Sequence, residues 1–219
     1  MRIGVLGAGR MGSALGRRWS SSGHAVTYSF GRNAAKLAVE VSAGSQPGRL
    51  ATPAEAVADS DVILLAVPWS ALDLLLEQAG ALAGKVVLSC VLPMGREDQG
   101  LGIGRDDSGA EALARRQPGI RLVPIFNTIP SELIVLLPGV PKPERPQVIC
   151  CGDDVEAKGI AMTLSRDIGF EPLDAGGLLL ARYIEPFGLL VGQIAYEQAT
   201  YGAAVGYRFF AAGGPTLAQ

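Results

Sequence analysis

The 219 residues include one histidine, His24, and three cysteines. That supply is too thin for a disulfide framework or a His/Cys zinc site. Charge is scarce, at 18% of residues, and balanced, with 19 basic against 21 acidic residues and a net charge of −2. No global field is present to hold nucleic acid or an acidic membrane surface, and neither is expected as a partner. No run reaches the ~18 uncharged apolar residues of a membrane span. The nearest stretch, Gly177 to Gly206, is interrupted by Arg182, Glu185 and Glu197. The apolar start, Ile3-Gly4-Val5-Leu6, stops at glycines after about five residues, short of a secretory core. A cytoplasmic protein is the expectation, with Cys90, Cys150 and Cys151 reduced and mostly buried. Disorder is excluded by composition, with 48% hydrophobic residues and a mean hydropathy of +0.28.

What is abundant is glycine. There are 29 glycines, where roughly 15 would be average for this length. Around them, strand-like and helix-like segments alternate. Arg2–Leu6, His24–Phe30, Asp61–Val67, Lys85–Ser89 and Arg121–Phe126 read as strands. Met11–Ser21, Asn33–Ala43, Ser70–Ala83 and Gly109–Arg116 read as helices, with Asn33 as a cap. Asp61–Val67 is apolar almost throughout, as a strand buried on both faces is. The alternation predicts an α/β fold with a doubly wound, mostly parallel sheet. Met94–Ser108, rich in glycine and charge, is expected to be an exposed loop. Pro138–Pro146, with four prolines, reads as a stiff connection. Beyond it lie a strand (Gln147–Cys151), a helix (Val155–Asp167), a strand (Glu171–Asp174) and a long apolar helical region, Gly176 to Gly206, broken near Pro186. The chain therefore divides into residues 1–137 and a small C-terminal α/β and helical extension, 147–219. Asp153 and Asp154 are expected to cap the helix at Val155 rather than to bind metal, and no metal site is expected. Arg182 and Glu185, spaced i, i+3, are expected to pair.

Gly7-Ala8-Gly9-Arg10-Met11-Gly12 fits G-x-G-x-x-G directly after a strand and at the opening of a helix. Gly7 permits the tight turn, Gly9 lets a pyrophosphate approach the backbone, and Gly12 lets helix and strand pack. The helix N-terminus then offers free N–H groups and a positive dipole end to the diphosphate. An NAD site places an acid about 20 residues further on. Here the first acidic residue is Glu40, and strand two leads through Ser29 into Phe30-Gly31-Arg32. Arg32 can grip a 2′-phosphate and Lys36 can add a second charge, so NADP is expected over NAD. At the other strand ends lie Ala66-Val67-Pro68-Trp69, Cys90-Val91-Leu92-Pro93-Met94 and Phe126-Asn127-Thr128-Ile129-Pro130, apolar turns that can form a slot for planar rings or be ordinary turns. No histidine or lysine falls in this cleft, and no side-chain acid or base is expected to be catalytic. Hydride exchange between two ring cofactors needs none, since the protein supplies orientation and water exclusion.

With these residues in view, the chain resembles the NADP-dependent coenzyme F420 oxidoreductases and their bacterial relatives over nearly its whole length. The resemblance rests on the glycine motif, Gly31-Arg32 with Lys36, Val67-Pro68-Trp69 and Ser89–Met94. It continues through Asn127–Pro130, Cys151-Gly152-Asp153-Asp154 and Pro172–Gly176. It implies a Rossmann fold, NADP as cofactor, and coenzyme F420 or a flavin packed against the nicotinamide as a small-molecule redox acceptor. It implies that Gly7, Gly9, Arg10, Met11, Gly12, Ser29, Arg32, Lys36, Ala66, Val67 and Pro68 hold NADP, and that Leu92, Pro93, Asn127 and Ile129 shape the acceptor pocket. F420-reducing members carry a histidine where this chain has Asn127 and a serine where it has Gly31, a departure that bears on the acceptor more than on the fold. The wider family includes relatives that reduce iron or copper through a flavin.

Two other functions fit the residues. Ile3–Leu15 also resembles imine and pyrroline-carboxylate reductases, although those finish in a longer helical domain than the 45 residues after Asp174 allow. A non-catalytic NADP-sensing module is the third reading. The apolar surplus between Leu178 and Phe210, with Tyr196, Tyr201, Tyr207, Phe209 and Phe210, leads to the expectation of a homodimer.

Overall fold

A computed structural model describes residues 1–31, 48–95, 100–103, 106–198, 200 and 202–210. Six strands form one parallel sheet: β1 (Arg2–Leu6), β2 (Ala25–Ser29), β3 (Arg49–Leu50), β4 (Val62–Leu65), β5 (Val86–Ser89) and β6 (Arg121–Pro124), in the order β3-β2-β1-β4-β5-β6. The order reverses at β1, with β2 on one side and β4 on the other, which opens a crevice at the carboxyl ends of these strands. Side chains alternate across the sheet and divide the core in two. Ile3, Val5, Val62, Leu64, Val86 and Leu88 face one layer, while Leu6, Ile63, Leu65 and Val87 face the other. The first layer is covered by α1 (Arg10–Ser21) and α6 (Val155–Asp167). The second is covered by α2 (Pro53–Asp59), α3 (Leu72–Ala79), α4 (Gly109–Arg116) and the start of α7 (Ala181–Glu197).

Three elements that the sequence did not announce are β3, the capped α2 that follows it, and α5 (Ser131–Leu136). Strand β3 has only two residues and no alternation to read. Thr52 and Glu55 do form a capping box, with Thr52 accepting from the Glu55 N–H and the Thr52 N–H donating to Glu55 at 2.9 Å. The helix expected over Asn33–Ala43 lies outside the described residues. The loop expected from Met94 to Ser108 turns back in its described part: Met94 bridges Leu101, and Gly102 N–H donates to the Pro93 carbonyl.

Strands β7 (Gln147–Cys150) and β8 (Glu171–Asp174) pair in parallel, and an antiparallel bridge between Ile125 and Cys150 joins them to the end of β6. Asp154 caps α6 by accepting from the Ala157 N–H, and Arg121 forks onto its carboxylate at 2.6 and 3.0 Å. These contacts hold the Asp154 carboxyl down at about 2. Among the described residues, the end of α1 and the turn after it are tied to the end of α6 by four bonds. Trp19, fully buried, donates to Leu164 O (3.0 Å), Arg18 to Ile168 O (3.1 Å) and Ser22 to Asp167 O (2.9 Å), and His24 meets the Asp167 carboxylate (3.0 Å). His24 thus sits far from the crevice. The three thiols are free, and Cys150 and Cys151 are fully buried.

The C-terminal region departs from expectation in three ways. Helix α7 runs unbroken through Pro186. Ala181, Ile184 and Val191 are buried on its inner side and hold the helix together across the bond lost at proline. Second, helix ends at Glu197, and residues 202–210 are not helical. Gln147 N–H donates to Tyr207 O, and Phe209 N–H to Gln147 Oε1, so this segment is tied to the start of β7. Third, Arg182 and Glu185 do not pair. Both reach to α4, whose first N–H groups need an acceptor. Glu185, 2% exposed, accepts from Gly109 and Ala110 N–H at 2.9 Å, and Arg182 forks onto Glu111 at 2.8 Å. By length and composition alone, Leu178–Glu197 could cross a membrane; its inner side is buried on the sheet.

Burial pushes the Glu185 carboxyl up to about 7 from 4.5, against the pull of its two backbone donors. Between those pH values the folded chain holds a proton that the unfolded chain releases, so stability falls as pH rises from about 4.5 to about 7 and is level above. Glu185→Gln should flatten this limb in urea unfolding at pH 5 and pH 7.5. An unchanged difference between the two pH values would refute the assignment.

Candidate functional site

At the end of β1 the chain turns into α1 with almost no space to spare. Gly7 has φ +109°, and a Cβ there would sit 2.4 Å from the Ala66 carbonyl oxygen. Its N–H donates to Ser29 O at 2.9 Å, which ties the loop to β2. A Cβ on Gly12 would lie 2.0 Å from Gly7 O. Gly9 is the opposite case: it is the N-cap of α1, and nothing lies within 4 Å of where its Cβ would be. No side chain caps this helix, and its first turn has no acid. The N–H groups and positive dipole end of α1 are left facing open space.

That space is a cleft of about 560 Å³ over the carboxyl ends of the strands. Gly7, Gly9, Arg10 and Met11 form one wall, and Ala66, Val67 and Pro68 the other. Phe30 and Gly31 close the β2 end, and the chain passes there into Arg32. Arg32 and Lys36 lie outside the described residues. Gly12 and Ser29 are buried behind the loop and do not border the cleft. Gly12 acts through packing and Ser29 through its carbonyl.

Beyond Cys90 a second pocket of about 150 Å³ is bounded by Leu92, Phe126, Asn127 and Ile129 on the strand side, and by Gly188 and Val191 of α7. Three of the four residues grouped from sequence therefore share this pocket. Pro93 does not: its ring packs on Gly109, where a Cβ would come within 3.0 Å of it, because the following loop folds back. Phe30 and Phe126 are the described non-glycine residues with positive φ, at +57° and +66°. Each follows a strand at one end of the ligand space. Such strain persists where the surroundings fix it, and Phe126 is fully buried between Trp19 and Phe170. Asn127 is 6% exposed, and its Nδ2 and Oδ1 have no hydrogen-bond partner among the described residues. Leaving such groups buried costs roughly 1–3 kcal/mol each.

Tyr196 and Ser131 border these spaces without having been placed there from sequence, whereas Cys90 stands in the strand-end run Cys90–Met94. Cys90 lines both spaces; its thiol donates to Leu65 O at 3.3 Å, and burial pushes it up to about 12, so it stays neutral. Tyr196, read from sequence as surplus apolar surface, also lines both spaces. Its hydroxyl donates to Glu132 at 2.9 Å, and the Arg10 guanidinium stands 6.0 Å from its ring centre. Ser131, at the start of α5, borders the cleft and donates to Glu132. No local pattern could find Tyr196, because it arrives from the end of α7.

Residues 2–93 match the model of the family described as NADP oxidoreductase, coenzyme F420-dependent. Over 190 residues the chain is 32% identical to the metalloreductase STEAP3 of Rattus norvegicus, an alignment covering 86% of this chain and 36% of that protein. The chain thus spans little more than a third of that relative. A candidate F420-dependent NADP reductase from Arthrobacter sp. FB24 superposes with a TM-score of 0.79 at 25% identity, covering 96% of this chain and 100% of that one. The fold is shared as well by a reductive aminase from Aspergillus terreus in complex with NADPH and ethyl levulinate, with a TM-score of 0.63, 20% identity, and 88% and 60% coverage. Residues 2–93 thus match the NADP oxidoreductase family described as coenzyme F420-dependent, and nearly the whole chain shares the fold of the Arthrobacter protein.

Proposed function

We propose that this protein transfers a hydride between NADP(H) and a ring-type acceptor, coenzyme F420 or a flavin. The observation that carries the reading is the uncapped, acid-free N-terminus of α1 at Gly9, opening on a cleft that runs from Phe30 to the Asn127 pocket. The residues fit a dinucleotide. The Gly9 N-cap leaves room for a diphosphate against the backbone. Phe30 and Gly31 would hold the adenosine half, with Arg32 and Lys36 next in the chain for a 2′-phosphate. Val67, Pro68 and Cys90 would border the nicotinamide half.

NADPH, when bound, supplies the hydride; the acceptor takes it with its electron pair, and solvent balances the proton. The chain's own part is to orient and to exclude water. Met11, Leu92, Phe126, Ile129 and Val191 give the inner pocket apolar walls. The neutral Cys90 thiol adds no competing charge. Leu179, Tyr183 and Leu190, all more than half exposed, support the further proposal that the chain works as a homodimer. Sedimentation should give twice the chain mass, and Tyr183→Glu should shift it to monomer.

Fluorescence titration should favour NADPH over NADH at least tenfold, and Arg32→Ala should cost NADPH ~1–3 kcal/mol with little change for NADH. Equal affinity for the two dinucleotides would sink the phosphate grip. Gly9→Ala should fold with a wild-type thermal midpoint yet lose NADPH, whereas Gly12→Ala should lower the midpoint itself. A panel of F420, FMN, FAD and ferric chelates with NADPH identifies the acceptor. Turnover of cyclic imines alone would favour the imine-reductase reading, and NADPH binding without any turnover would favour the sensor.

A further inference from the structure

The cleft and the inner pocket share three bordering residues, Met11, Cys90 and Tyr196. These mark the seam between the two spaces. Met11 is fixed in the first turn of α1, and Cys90 follows β5 with its thiol on Leu65 O at 3.3 Å. Tyr196 has no such anchorage in the sheet. It stands in the last turn of α7, about 12 Å along the axis from Gly188, where the helix rests on the Asn127 peptide. That last turn is poorly closed. It has no basic residue, and Gln198 after it is extended, so the helix lacks a left-handed cap. Such an end frays unless something else holds it.

What holds it is the Tyr196 hydroxyl, which donates to Glu132 at 2.9 Å. Glu132 in turn accepts from Ser131 Oγ at 3.1 Å and from the Arg10 guanidinium at 3.5 Å. One carboxylate thus joins three walls of the ligand space: α1 at the glycine loop, the start of α5 just after the Asn127–Pro130 turn, and the end of α7. The helix crosses the inner pocket as a bar pinned at two points, by packing at Gly188 and by this hydrogen bond at Tyr196. The Tyr196 ring is half exposed, so releasing it uncovers little of the core, and the opening is confined to one turn of α7. Resting on the hydride-transfer reading above, we propose that Tyr196 is a positioning residue: latched to Glu132, it holds the last turn of α7 over the seam and so keeps the acceptor gripped in the inner pocket. The latch is a hydrogen bond alone, and no covalent step passes through it. Its closed form shields the seam from water, as a site for hydride transfer requires.

The test compares the full wild-type chain with Tyr196→Phe, Glu132→Ala, the double variant and Glu132→Gln. Tyr196→Phe keeps the ring and removes only the hydroxyl. Two readouts are taken: amide hydrogen exchange in residues 192–197, and steady-state kinetics with NADPH and either F420 or FMN. Tyr196→Phe should speed exchange in this turn about three- to tenfold, as loss of one hydrogen bond to a partly solvated charge would. Exchange in α1 and α6 and the thermal midpoint should stay at their wild-type values. The acceptor KM should rise by a similar factor, while the NADPH dissociation constant holds. Glu132→Ala should do the same, and the double variant should match it, because both changes remove one bond. Glu132→Gln keeps the accepting oxygen and should recover most of the loss. A double variant whose effects add overturns the latch. Faster exchange with an unchanged acceptor KM assigns Tyr196 to the fold alone and overturns its positioning role. Wild type that turns over neither acceptor overturns the hydride-transfer reading and the kinetic part of the proposal with it. Exchange left unchanged by Tyr196→Phe overturns the latch itself, whatever the turnover.

Discussion

The first turn of α1 lies against the end of β1 with no room for a side chain, the Gly12 Cβ position being 2.0 Å from the Gly7 carbonyl oxygen. The rest of the site follows from this contact. It brings the helix axis down onto the sheet at the point where the strand order reverses, so the helix dipole ends over the crevice and not beside it. It also keeps α1 close enough for Ala14, Leu15 and Trp19 to fill the layer above β1 and β4. A bulkier residue at position 12 would lift the helix, open the core and misaim the N–H groups together. Packing and binding are one constraint here.

The second constraint comes from α7. Gly188 lets this helix rest on the Asn127 peptide, and Tyr196, two turns on, reaches Glu132 and Arg10 beside the glycine loop. One helix thus walls the inner pocket with its middle and the outer cleft with its end. Pro186 is tolerated because the helix is held from outside, through Glu185 on α4 and Ile184 in the core.

Much of this was legible in the residues. The G-x-G-x-x-G run gives its turn away because only glycine meets two demands at once, the positive φ at Gly7 and the close contact at Gly12. Continuous apolar strands such as Val62–Leu65 announce a sheet covered on both faces, and Asp154 before Val155 announces a cap. What could not be read depends on contacts distant in sequence. Glu185 and Arg182 have helical spacing for a pair, but α4 competes for both. Residues beyond Glu197 have helical composition, but the free edge at Gln147 recruits them. Pro93 is adjacent to Leu92, yet the chain reverses after it and its side chain leaves the pocket. Asn127 was legible as a strand-end residue beside the crevice and, through the resemblance, as an acceptor-pocket residue, but its unpaired amide appears only once its neighbours are placed.

The bonds from α1 to α6 span 143 to 150 positions. While the chain emerges from the ribosome, the Trp19 indole has no Leu164 carbonyl to meet until 145 further residues have been made. Parallel strands can gather earlier and α1 can cover β1, but the β5 and β6 part of that face, which α6 covers, stays bare until then. Contacts this remote slow the closing step and expose apolar surface meanwhile. The fold therefore closes late and from its two ends, and a nascent chain halted before α6 would present that uncovered face to chaperones.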